Sequence, residues 1–180
     1  MRYVMSSKWA FTERFSIADD AGTPVYEVYG NFGLTKQLSL CDPSGAEVAR
    51  LGKHMMSSRY EITVGGQHAA EVSHRGLFGE HYAIDSAQGT IDAQGDFAGW
   101  NYTLSLAGQV LATVSRQLAF REKFLVETAQ EQDDPFLLAA VLAIDNIHDD
   151  RRERSRRGMG MGMGMGMGMG NNGMPGMPGS

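Results

Sequence analysis

Hydrophobic and polar residues alternate along most of the chain in short segments. The alternation is clear at residues 60–64 (Tyr-Glu-Ile-Thr-Val) and 102–106 (Tyr-Thr-Leu-Ser-Leu). A period of two is typical of a β-strand with one buried face. Such segments recur with spacings of 23, 22, 22, 20 and 22 residues, which predicts six similar units. The strand openings are Phe15, Leu38, Tyr60, Tyr82, Tyr102 and Phe124.

Turn residues follow each of the first five openings, and a second short strand then returns. Glycine in these turns supplies the positive φ that tight hairpins require. Turns therefore come about every ten residues with no helical pattern between them, which predicts an all-β sandwich or barrel. The turn glycines are Gly22, Gly45, Gly65, Gly66, Gly89 and Gly108.

The sixth unit begins as a strand at residues 124–127 and then changes to a helical pattern. Asp134 as N-cap and Pro135 at the first helical position predict a helix over about 134–147. Residues 136–144 are apolar on every side, yet a membrane span needs about 20 residues. Such a helix must be surrounded by protein, so we expect a closed antiparallel β-barrel, mainly β in class, with the helix as its core.

Charge and composition divide the 180 residues into two parts. Residues 1–150 carry 11 Lys and Arg against 20 Asp and Glu, giving 11 − 20 = −9, whereas residues 151–157 carry five Arg and one Glu, giving +4. Alternating Gly and Met follow from residue 158. We predict a barrel domain at 1–150 and a disordered tail, Arg-rich and then Gly/Met-rich, at 151–180.

Cellular location is suggested by what the sequence lacks. Cys41 is the single cysteine, so no disulfide can form within the chain. The first residues do not have the apolar core of a secretory signal. We therefore expect a cytoplasmic protein, with peripheral membrane association as an option and no transmembrane segment.

A resemblance to known proteins lies in residues 1–3, 28–33, 38–48, 60–62 and 138–145. In these segments the chain resembles the LURP-one-related family. This resemblance implies the Tubby C-terminal-like fold, in which 12 strands close around a hydrophobic C-terminal helix. Tubby-like domains elsewhere bind phosphoinositides, and the related phospholipid scramblases act at membranes.

The sequence contains few motifs that indicate an enzyme or a metal site. There is no phosphate-binding glycine loop between a strand and a helix and no Gly-x-Ser-x-Gly elbow. The five histidines lack the spacing of a zinc site, and we expect them to face solvent. The group formed by Asp145, His148, Asp149 and Asp150 resembles a hard-metal site, but we interpret it as solvated. We predict no enzyme, no metal and no cofactor.

Basic residues supply the candidate binding sites. The connections between hairpins place Arg59, Arg75, Arg121 and Lys123 at one rim, where they hold a phosphate headgroup or simply solvate the barrel mouth. The tail arginines are the candidates for contact with anionic lipid. They are Arg151, Arg152, Arg154, Arg156 and Arg157.

The sequence therefore predicts a non-catalytic binding or scaffolding module that associates with anionic phospholipid or a protein partner, with no specific nucleic acid. One alternative is a structural or protein-assembly module without a ligand. Another is Cu(I) binding by the thioethers of the Met-rich tail. The identity of the ligand and the oligomeric state are not determined at this level.

Overall fold

The structure is a computed structural model that describes residues 1–6, 14–32, 36–53, 58–76, 80–117 and 123–160. These residues form twelve strands, a single 3₁₀ turn (Glu131–Asp133) and one long helix, α1 (Asp134–Gly160). The strands are β1 (Arg2–Ser6), β2 (Arg14–Asp19), β3 (Pro24–Phe32), β4 (Lys36–Cys41), β5 (Glu47–Lys53), β6 (Tyr60–Val64), β7 (Gln67–His74), β8 (Tyr82–Ser86), β9 (Gly89–Asp96), β10 (Asn101–Leu106), β11 (Gln109–Gln117) and β12 (Lys123–Thr128).

The strands close into one antiparallel barrel in which neighbours along the chain are also neighbours in the sheet. Closure occurs where β1 pairs with β12, from Arg2 opposite Glu127 to Ser6 opposite Lys123. The predicted closed 12-strand barrel with a single C-terminal helix is confirmed. The periodic pattern starts at residue 15 and therefore misses β1, which pairs with β12 and closes the barrel.

The inner faces of the strands and the first half of α1 form one apolar core. Inward side chains such as Ile17, Val28, Ile62 and Leu104 are fully buried. Every helix residue from Leu137 to His148 is also buried, because the sheet surrounds the helix. A helix is about 10 Å across with its side chains, and it fills the barrel in place of an internal cavity.

The helix extends further than the sequence predicts. It continues through the arginines to Gly160, so the domain boundary predicted at residue 150 falls within the helix. The reason is local, because residues 148–157 contain no Gly or Pro and are rich in Arg, which favours helix. Residues 161–180 lie outside the described part of the chain, so disorder there stays a prediction.

Asp134 does not act as the predicted N-cap. The 3₁₀ turn leads directly into α1, so Asp134 itself has helical backbone angles (φ −55°, ψ −48°). Its side chain is buried and its Oδ2 accepts a hydrogen bond from the Tyr3 hydroxyl. Burial and this contact raise the pKa of Tyr3. The carboxylate thus joins the start of the helix to β1.

The core can be tested by truncating one helix side chain. Leu138 is 0% exposed, so Leu138→Ala should leave a cavity and lower the free energy of unfolding by about 2–5 kcal/mol. Val110 is 49% exposed, and Val110→Ala is the control, with an expected loss below about 1 kcal/mol. Urea denaturation followed by circular dichroism measures both, and equal losses would contradict a core centred on the helix.

Candidate functional site

The polar half of α1 leaves the barrel through one mouth, which we call the helix-exit mouth. The strand ends at this mouth, such as Lys53 of β5 and His74 of β7, are those that do not lead into a tight hairpin turn; the tight turns lie at the other mouth. Helix residues 148–154 contact the strand ends and connections there through Lys36, Lys53, Ser58, His74 and Glu80. The mouth thus holds the helix by polar contacts, in contrast to the apolar contacts deeper in the barrel.

Asp150 is the centre of the strongest of these contacts. Its carboxylate accepts hydrogen bonds from Lys36 Nζ at 2.7 Å and Lys53 Nζ at 2.5 Å. The Tyr60 hydroxyl lies 3.5 Å from the same carboxylate. Burial raises the pKa of Asp150, but the two lysines outweigh it and hold the pKa below its usual range. The charged pairs attach the helix to β4 and β5, and the Tyr60 hydroxyl adds a contact from β6.

Asp145 lies one and a half turns earlier on the helix and has a very different environment. Its side chain is buried, and Oδ2 has no hydrogen-bond partner among the described residues. Burial, followed by the nearby charge of Asp149, raises the pKa of Asp145 well above its usual range. The same burial raises the pKa of Tyr102, whose hydroxyl also has no partner within the described part of the chain.

The predicted solvation of the group at residues 145–150 is therefore wrong. Asp145, His148 and Asp150 are buried because the helix continues past them inside the mouth. His148 Nε2 lies 3.1 Å from a carboxylate oxygen of Glu80, which lies just before β8. The prediction that all histidines face solvent is also wrong for His148. Within the described ranges, no group of three or more His, Cys, Asp or Glu could hold a metal ion.

A surface cavity of about 470 Å³ opens beside the helix at this mouth. Residues of β7 and β8 line it at the rim of the barrel, and α1 contributes Arg151. We call it the arginine cavity, because three of its eight lining residues are arginines. The lining residues are Ser58, Arg59, Glu71, Ser73, His74, Arg75, Asp85 and Arg151.

Each arginine of the cavity has a defined contact. Arg59 Nη1 donates to Glu71 at 2.9 Å and Arg75 Nη2 donates to Asp85 at 2.6 Å. Arg59 and Arg75 have side chains 59% and 51% exposed, and such exposed pairs contribute little to stability. An incoming anion can therefore compete for these guanidinium groups at low cost.

The helix supplies the remaining basic groups. Arg151 Nη1 lies 3.0 Å from His74 Nδ1, and Arg154 Nη1 donates to Ser58 Oγ at 3.0 Å. The cavity lining holds three arginines and two carboxylates, so its formal charge is 3 − 2 = +1 with His74 neutral. Arg154 at its edge makes the local sum +2, on a domain whose residues 1–150 sum to −9.

The structure brings together some of the sequence-predicted basic residues and separates others. Arg59 and Arg75 line one cavity with Arg151, and Arg154 contacts Ser58 at its edge. The sequence alone predicts a disordered tail for both helix arginines. Lys123 begins β12, on the far side of the barrel from β6 and β7. Arg152 and Arg156 are exposed on the helix. Arg121, His54, the side chain of Arg157 and the Met-rich residues from 161 onward lie outside the described residues.

A second cavity of about 330 Å³ lies at the opposite mouth, near the start of α1. Val64, Ile91, Leu111 and Phe136 make much of its lining apolar, and Asp133 is the one charged residue in it. This cavity contains none of the site residues that the sequence predicts.

Comparison with known protein families identifies the family of this chain. A family model described as LURP-one-related matches residues 1–145. The chain belongs to the LURP-one-related family. The match ends at Asp145, so Asp150 and the helix arginines lie beyond the matched part of this LURP-one-related protein. Comparison with curated protein sequences gave no match.

A solved structure shows a similar fold. An Arabidopsis thaliana protein determined by X-ray crystallography aligns with a TM-score of 0.61 at 17% sequence identity, covering 82% of this chain and 91% of that chain. At this identity the likeness concerns the fold alone. Family and fold are consistent with a non-enzymatic module. Among the described residues, no helix is both long enough and apolar enough to cross a membrane.

Asp150→Asn should destabilise the protein, because it leaves Lys36 and Lys53 without their carboxylate. We expect a loss of about 1–3 kcal/mol near neutral pH, below the value for a fully buried pair because Lys36 is partly exposed. A pKa lowered by folding stabilises the protein above the unfolded value of about 3.9, and this stabilisation is lost as pH falls through the folded pKa.

Urea denaturation near pH 7 and pH 3 tests this expectation. Glu47→Gln, which removes an exposed pair with Arg50, is the control and should cost below about 1 kcal/mol. A loss for Asp150→Asn that is as large in acid as at neutral pH would contradict the role of the charge.

Asp145→Asn should have the opposite pH dependence. A pKa raised by folding means that the folded protein holds its proton longer, so wild-type stability falls as pH rises from about 3.9 towards the folded pKa. Asparagine does not ionise, so the stability of the variant does not fall for this reason. The difference in unfolding free energy, variant minus wild type, should therefore become more positive between pH 3.5 and pH 7. A constant or falling difference in urea denaturation would show that Asp145 is readily ionised.

Proposed function

We propose that this protein is a non-catalytic module that associates with anionic phospholipid surfaces through the helix-exit mouth. The proposal is supported by the cavity that Arg59, Arg75 and Arg151 line together, with Arg154 bound to Ser58 at its edge. Two separate sequence segments supply these groups, and the closed barrel holds both in place.

The chemistry of the arginine cavity suits a phosphate group. A guanidinium carries five N–H donors in a planar fork, which matches the oxygens of a phosphate. The cavity opens at the surface, and the exposed Arg152 and Arg156 extend the positive charge along the helix beyond it. A headgroup in the cavity and further headgroups along the helix can therefore be contacted together.

Charge layout determines the orientation on a membrane. The barrel residues 1–150 sum to −9, so most faces of the domain are repelled by an anionic surface. Each Lys or Arg near such a surface contributes about 1 kcal/mol, and this attraction falls off within a Debye length of about 8–10 Å. Binding should therefore occur with the helix-exit mouth facing the lipid, and it should weaken as salt is added.

Sedimentation with vesicles tests the proposal on the full-length chain. Phosphatidylcholine vesicles are compared with vesicles that also contain phosphatidylglycerol, at low and high salt. Wild type should bind the anionic vesicles and not the neutral ones. Arg59→Gln with Arg75→Gln removes two charges, so we expect about 30-fold weaker partitioning, from about 1 kcal/mol for each.

The matched control is Arg2→Gln with Arg50→Gln. These two arginines also have exposed side chains, at 59% and 51%, and each pairs with a glutamate, but they lie away from the helix-exit mouth. The net charge changes equally in both double variants, so a much smaller loss is expected for the control. Equal losses would contradict the site, and no binding by wild type would leave a protein-assembly module as the better function.

Charge variants are a sharper test than truncation after residue 150. Such a truncation ends the chain at the carboxylate that holds the helix, and it removes Arg151 and Arg154 together with the last turns of α1. A loss of binding by the truncated chain would not distinguish lost charge from a loosened helix.

A further inference from the structure

We propose that His74 binds an anionic headgroup in the arginine cavity and couples this binding to proton uptake. The headgroup enters as His74 gains a proton, so binding strengthens as pH falls. This inference rests on the proposed function, because it concerns the regulation of the same cavity. It adds a residue and a coupling that neither the family match nor the fold assigns.

His74 is positioned between the sheet and the helix. It is the last residue of β7, opposite Tyr82 of β8, and the two rings meet edge to face at 5.3 Å. The imidazole lines the cavity and is partly buried. A titratable ring is therefore fixed beside the place where a phosphate would lie.

The contact with Arg151 requires a neutral imidazole. The distance from Arg151 Nη1 to His74 Nδ1 is 3.0 Å. A guanidinium has donors and no acceptor, so this contact is a hydrogen bond when Nδ1 carries a lone pair. A neutral ring then has its proton on Nε2. Protonation of Nδ1 would place two N–H donors, both on cationic groups, against each other.

The charged groups around His74 make its protonation depend on an anion. Without an anion, a protonated ring adds a positive charge to a cavity that already sums to +1, next to Arg151. A phosphate between the two side chains accepts from both and removes the repulsion. The titratable and charged groups on the surrounding elements are Arg59, Glu71, Arg75, Glu80, His81, Tyr82, Asp85 and Arg151.

Linkage fixes the sign of the effect. If the anion favours the protonated ring, the proton favours the bound anion to the same extent. One linked proton changes the affinity by at most about tenfold per pH unit, and an ordinary histidine titrates near pH 6.5. The carboxylate of Asp85 has a lowered pKa, through the Thr90 hydroxyl first and then Arg75, so it stays charged across this range.

The experiment measures partitioning to phosphatidylglycerol vesicles from about pH 7.5 to about pH 5.5 at constant ionic strength, the range in which histidine titrates. The phosphodiester of this lipid keeps its single charge there, so the ligand itself does not change. The affinity of each protein is divided by its own value at about pH 7.5. On this scale, wild type should bind about 5- to 10-fold more tightly than His74→Gln at about pH 5.5.

His68→Gln is the matched control. His68 is an exposed histidine near the opposite end of β7, paired with Glu61 at 2.9 Å and remote from the arginine cavity. This variant should keep the wild-type pH profile. Other ionisable groups near the mouth, such as His148, His81 and Asp149, are present in all three proteins and cancel in the comparison.

A second measurement does not depend on a variant that folds. Calorimetric titration of wild type with the same vesicles, in two buffers of different ionisation enthalpy, should show net proton uptake on binding near pH 6.5. Identical pH profiles for wild type and His74→Gln, or binding without proton uptake, would overturn the role of His74. Absence of binding by wild type at every pH would instead overturn the proposed function.

Discussion

The apolar segment of α1 can be buried on every side only if the sheet closes around it. Residues 137–144 have no polar stripe, so a helix lying on an open sheet would expose half of them. Closure in turn requires that the first strand and the last strand meet, which they do through β1 and β12. The filled barrel leaves its mouths and outer surface as the places where a ligand can bind.

The polar continuation of the same helix fills one mouth with charged and hydrogen-bonding groups. The core holds the helix in one position, so the place of each residue beyond Ile144 relative to the strand ends is also fixed. Asp150 meets two lysines, whereas Oδ2 of Asp145 meets no hydrogen-bond donor among the described residues. Two identical side chains on one helix therefore shift their pKa in opposite directions, because one is paired and the other is buried without a partner.

The arginine cavity depends on both halves of this arrangement. Arg59 and Arg75 come from the sheet side of the helix-exit mouth, and Arg151 comes from the helix. Their meeting concentrates positive charge on a domain that is otherwise acidic. These arginines, far apart in the sequence, line one cavity because the barrel core holds the helix in a fixed position relative to the strands.

The sequence by itself determined the barrel and its core. The period of two, the spacing of about 22 residues and the all-round apolar helix are local patterns, and short-range sterics and burial translate them directly into strands and a central helix. It did not show β1 as the closing strand, the length of α1, or the burial of Asp145, His148 and Asp150. The neighbours of these residues lie far away along the chain, so the tertiary structure alone decided their partners. The arginine cavity follows the same rule, because Arg59 and Arg151 are ninety-two positions apart, as 151 − 59 = 92, and only the closed barrel brings them together.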